Sequence, residues 1–242
     1  MRIPLLYIPK TGIKKFLYID KQYNASRLIL PIGCDCHPAY CLQKLHIRQH
    51  SFPFDWLNIT PVKTISYVLE NINTNFIFFL ENLAPNDAGN IVSATYPFAE
   101  FIHEKDLDTN PKTQQKFVRR QKRFLEVLAN EPVDLLLNIP ASEIQSQQDV
   151  DYFHQSVTDL AAAIKSNDRI CIYIRYDENL NENAVLTNTF TTQLLKLPKV
   201  TITQYCRSFS HYGIWGNPNK YPQILASLGI KLQKKFPKIY IK

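Results

Sequence analysis

Two apolar runs, "VDLLLNIP" (133–140) and "RICIYIRY" (169–176), constrain this chain most. Each has strand length, and neither alternates cleanly between apolar and polar residues. A strand that is apolar on both sides needs cover on both faces, as inside a parallel sheet. Helical spacing surrounds these runs. Pro111–Asn130 puts Phe117, Phe124, Leu125 and Leu128 on one face, and 146–166 contains "VTDLAAAI". Earlier, "ASRLILPIG" (25–33) reads as a buried strand ending at Gly33, and Pro38 then opens a helix. Helical segments at 59–72, 183–196 and 222–230 and a strand at 199–205 continue the alternation, while 84–110 is turn-rich around "FAEFIHE". The expected class is α/β, with a mostly parallel sheet covered by helices on both faces in a Rossmann-like three-layer arrangement. "RIPLLYIP-KTG-IKKFLYID" (2–20) reads as a small N-terminal β-hairpin. The expected organisation is therefore a hairpin extension over 1–24 and a single α/β domain over 25–242.

Composition excludes several classes. No window approaches 18 consecutive apolar residues, and "FIFFL" (76–80) is far too short to span a bilayer. The first residues lack the apolar stretch of a signal peptide, so a cytoplasmic location without a membrane span is expected. The formal charge is +7. One basic group, Lys112, Lys116, Arg119, Arg120, Lys122 and Arg123, lies on the helix from Pro111, and a second closes the chain. No recognisable nucleic-acid motif accompanies them, so a solvated basic face is the simpler reading.

The chemistry concentrates in "PIGCDCHPAYCLQKL" (31–45), where Cys34, Cys36, His37 and Cys41 crowd a strand-to-helix turn. Three readings compete there. A zinc site would use these four residues, but their spacing is compressed and no second cysteine pair is present, so no metal is expected. Cys34 and Cys41 suit burial, as free cysteines often do. Cys36 falls just before the helix, at the carboxyl end of a strand, where helix amides favour an anion and lower a thiol's pKa. Cys36 is thus expected to be the most acidic of the five cysteines, with the amides near His37–Tyr40 available to an oxyanion.

"LPIGCDCHPAYCLQKLHIRQHSFPFDWL" (30–57) resembles the signature of bacterial and viral proteins grouped as putative papain-like cysteine peptidases. Gly33, Cys36, the Ala39–Leu42 helix, Ser51 and Pro53–Trp56 carry the likeness. Phe101, His103 and Glu104 continue it, and then Arg119, Arg120, Arg123 and Phe124. The resemblance implies a cysteine hydrolase with Cys36 as nucleophile and His103 as base, oriented by Asp55 or Glu104. It further implies that His37, Ser51, Trp56, Arg119, Arg120 and Arg123 contact a substrate or anion. No cofactor is implied, and the substrate is an unspecified peptide, glycan or small molecule. A papain-like fold would set the cysteine helix against an antiparallel barrel, whereas this chain reads as alternating β and α. Two alternatives stay open: a thiol-dependent acyltransferase acting on glycans or small molecules, and a non-catalytic anion-binding module.

Overall fold

The computed structural model describes residues 2–9, 11–178 and 184–241. Strand β1 (Arg2–Tyr7) pairs antiparallel with β2 (Lys14–Ala25). β3 (Leu28–Pro31) then runs through a short turn into α1 (His37–Lys44). An inserted region carries β4 (Asn58–Ile59), α2 (Thr64–Asn73), β5 (Leu83–Pro85), β6 (Ile91–Ser93) and β7 (Ala99–Phe101). Next come α3 (Pro111–Asn130), β8 (Val133–Pro140), α4 (Gln147–Ala163) and β9 (Arg169–Asp177). α5 (Ala184–Leu194), β10 (Val200–Arg207), α6 (Phe209–Tyr212), α7 (Tyr221–Ser227) and β11 (Leu232–Ile241) complete the order. Of the helix expected over 183–196, residue 183 lies outside the described residues, as does Lys10 of the expected N-terminal turn.

β10, β9, β8 and β3 form a wholly parallel sheet in that order. The order runs from edge to edge without the reversal that makes a switch point in a doubly wound sheet. Alternate residues of β8 enter different hydrophobic clusters. Leu135, Leu137 and Ile139 pack with Phe153 and Val157 of α4 and Phe124 of α3, while Leu136 packs with Leu42 of α1 and Leu225 of α7. Successive β8 residues thus enter different apolar clusters, which accounts for its unbroken apolar run. Sequence capping signals set the helix starts. Asn110 accepts a hydrogen bond from Lys112 N ahead of α3, and Ser146 with Asp149 forms a capping box at α4.

Charges staple both ends of this sheet. At the amino end, buried Asp134 on β8 receives Arg169 Nη2 at 2.6 Å and forms an ion pair with Arg27, whose Nε lies 2.9 Å away, tying β3, β8 and β9 together. At the carboxyl end lie Arg175–Asp35 and Arg207–Asp177. No helix among the described residues is long and apolar enough to cross a membrane.

Two regions differ from the sequence expectation. The turn-rich 84–110 segment holds β5, β6 and β7, which join β4 in an antiparallel sheet of order β4-β7-β6-β5. Its strands are two or three residues long, too short to show an alternation. The Lys-rich C-terminal segment is also a strand. β11 pairs with β2, so β1 and β2 belong to a three-stranded sheet rather than a separate hairpin.

Candidate functional site around Cys36

The turn from β3 to α1 crosses the carboxyl end of the parallel sheet, and a close approach fixes its path. A Cβ on Gly33 would lie 2.2 Å from Asn138 Oδ1 on β8 and 2.5 Å from Pro38 Cγ, so only glycine fits there. Asp35 anchors the entry to α1. Its Oδ1 accepts from His37 N at 2.9 Å and from Asn138 Nδ2 at 3.0 Å, and its Oδ2 takes Arg175 Nη1 at 2.6 Å. Burial opposes this charge, but the guanidinium beside it and the His37 amide hold its carboxyl below the usual range.

This arrangement changes the expected role of the helix terminus. Asp35 already occupies the anion position at the start of α1. Of the first amides, His37 N bonds Asp35, Pro38 has none, and Tyr40 N bonds Cys36 O. Little of the expected oxyanion hole remains. Cys36 is the N-cap residue and is half-buried, without a side-chain capping bond. Burial pushes its thiol up to about 11, and the adjacent Asp35 charge adds to the rise. The expectation of an acidic Cys36 is not met: burial raises the thiol first, and the Asp35 carboxylate beside the helix start adds to the rise. Cys34 and Cys41 are fully enclosed, and burial raises both thiols strongly.

His37 lies beneath α1 rather than in an open cleft. Trp215 O can only accept, so His37 Nε2, at 3.0 Å, carries the proton, and Nδ1 accepts from Tyr173 Oη at 2.6 Å. Cys41 Sγ stands 3.4 Å from Nδ1. Burial pulls the imidazole down to about 4, so thiol and ring are both neutral at pH 7. With both ring nitrogens engaged, the His37 side chain is a packing element, which corrects its expected part as an anion contact.

The second group of expected residues gathers beside the inserted sheet. Ile59 N donates to Cys34 O at 2.7 Å and so ties β4 to the cysteine turn. Asp55 is buried and its Oδ2 receives Phe52 N at 2.9 Å and Arg48 Nε at 3.2 Å, with Arg48 Nη2 also paired. Burial raises its carboxyl in spite of Arg48. Arg48 also bonds Ser51 Oγ at 3.0 Å and lies over the Trp56 ring at 5.5 Å, and Arg123 Nη1 holds Ser51 O at 2.9 Å. Trp56 meets the exposed His103 edge to face, with ring centroids 5.9 Å apart.

Glu104 is paired with Lys116 Nζ at 2.6 Å, and Asp55 with Arg48. Both carboxylates expected to orient the histidine thus bond a cation instead. Among the described residues, neither Cys36 Sγ nor the His103 ring makes a hydrogen bond. Arg120 lies over Phe117 at 4.8 Å, half-buried, without a hydrogen bond or ion pair among the described residues, and burial lowers its pKa. Arg119 is exposed.

Sequence reasoning missed Asp35, Asn138, Arg175 and Arg48. A signal existed for two of them: Asn138 and Arg175 are polar residues that follow the apolar middles of their strands, toward the carboxyl ends. No group of three or more His, Cys, Asp or Glu among the described residues is arranged to hold a metal ion.

The model of the putative papain-like cysteine peptidase family (DUF1796) matches residues 27–179, more than half of the chain. The chain belongs to this family. No curated protein and no solved structure matches it. The family segment runs from the start of β3 to just past β9, so it contains Cys36, the inserted sheet, the arginine helix α3 and the Asp35–Arg175 pair.

Proposed function

We propose that this family member is a cysteine hydrolase in which Cys36 attacks an acyl centre. The observation that carries the reading is selective exposure within the family segment. Of the three cysteines at the turn, Cys36 alone reaches solvent, at the carboxyl end of a parallel sheet where ligands gather. Because its thiol is neutral at pH 7, a general base takes the proton as the carbon–sulfur bond forms and returns it to the alcohol or amine that leaves. Water then cleaves the thioester to free the acid and the thiol. His103 is the proposed base, since its ring is exposed and free of hydrogen bonds among the described residues, and Trp56 steadies it from the side.

Arg120 and Arg119 are the proposed substrate contacts, Arg120 because its side chain is half-buried and makes no hydrogen bond or ion pair among the described residues. Ser51, Trp56 and Arg123 shape this wall, and the cations on Asp55 and Glu104 make these carboxylates supports of the wall rather than partners of the histidine. A peptide or isopeptide is the leading substrate, and glycan or small-molecule acyl groups are the alternative. Hydrolysis of a panel of peptidyl and acyl esters is the test. Cys36→Ser is expected to abolish turnover, and His103→Asn to lower kcat by about a hundredfold or more with KM little changed.

The neutral thiol also favours a second reading, a module that binds an acidic ligand without turnover. On that reading, Cys36→Ser leaves ligand affinity intact and no ester is hydrolysed, while Arg120→Ala weakens binding.

A further inference from the structure

The charge of this protein is divided unevenly. Residues 1–25 and 231–242 carry ten Lys and Arg against one Asp, a net of +9, whereas residues 26–230 carry eighteen against twenty, a net of −2. The whole positive excess therefore belongs to the segments that form the β1-β2-β11 sheet, outside the family match.

That sheet is also apolar where it meets solvent. Opposed residues of antiparallel strands project to the same side. Ile3 and Ile241 both face Leu17, and Leu6 faces Lys15, so Ile3, Leu6, Leu17, Ile239 and Ile241 share one face. Ile239 and Ile241 are each 60% exposed. The register breaks between Lys235 and Lys238, and this bulge holds out Phe236, which is 94% exposed between lysines. The sheet meets the body at its base, through Tyr23 N to Leu45 O at 3.1 Å and the burial of Tyr23.

We infer that this sheet docks on the surface of an anionic lipid bilayer. Aliphatic side chains gain by entering the interfacial region, and lysines bind the headgroups while their stems stay along the apolar boundary. Nine of the ten cations are lysines, and the exposed apolar groups are mostly aliphatic. A nucleic acid would instead reward arginine and stacking aromatics. A second copy would bring +9 against +9, so self-association of this face is opposed by its own charge.

Sedimentation of the full chain with vesicles tests the inference. Strong pelleting is expected with phosphatidylcholine vesicles holding about 30% phosphatidylserine, and none with phosphatidylcholine alone. Release is expected in roughly 0.5 M salt. Lys234→Glu with Lys235→Glu is expected to weaken binding at least tenfold, each lysine near such a surface being worth about fivefold. Phe236→Ser is expected to weaken it several-fold with an unchanged thermal midpoint, since an exposed ring does not hold the fold. Equal pelleting with both vesicle types, retention by DNA or RNA without vesicle binding, or a stable dimer in place of vesicle binding would each overturn it.

Discussion

At residue scale, burial and the Asp35 carboxylate together set what Cys36 can be. The carboxylate caps α1, bonds Asn138 and pairs with Arg175, and its charge helps to raise the neighbouring thiol to about 11. Alkylation of Cys36 by iodoacetamide is therefore expected to be slow at pH 7 and to rise with pH until the thiol titrates. In Asp35→Asn the negative charge is gone and the Arg175 cation remains, so the thiol's pKa falls. Labelling at pH 8 is then expected to quicken several-fold. The same change strands a buried guanidinium and is expected to cost about 3 kcal/mol of stability in urea unfolding. Mass spectrometry on the alkylated peptides reads the first effect. Unchanged labelling in the variant would show that burial alone sets the thiol.

At element scale, the β3–turn–α1 unit is held by contact rather than by sequence regularity. Gly33→Ala would drive a methyl group into Asn138 Oδ1 and the Pro38 ring, one on β8 and the other on α1. The Pro38 ring cannot withdraw without moving α1, and Asn138 can turn away only by giving up its bond to Asp35, so a loss of about 2–3 kcal/mol is expected by chemical denaturation. A loss under half of that would mean that the turn yields. Legibility in the sequence divides along the same line. α3 begins at Pro111 and ends at Asn130 as its periodicity and proline indicate, and β8 matches its apolar run residue for residue. β11 reads in the sequence as a solvated basic tail, because Lys234, Lys235 and Lys238 mask a strand whose pairing partner lies about 220 residues away in the chain. Cys36 stands out by composition and position. Asp35 and Arg175 do not, because their pairing spans 140 residues of chain.

At the scale of the whole molecule, the cysteine turn, the inserted sheet and α3 meet around one edge, while the basic terminal sheet extends from α1 on β2. Family membership covers the first group, and the electrostatics single out the second. The central claim concerns the first: Cys36 forms a covalent bond with an acyl group. Intact-mass spectrometry within the first turnover of an activated acyl ester tests it most directly, because a thioester intermediate accumulates when its hydrolysis is slower than its formation. One acyl group per chain is expected, mapped to Cys36, released by hydroxylamine and absent from Cys36→Ser. An adduct on Cys206, the exposed cysteine, or no adduct while the ester is still hydrolysed, would contradict it.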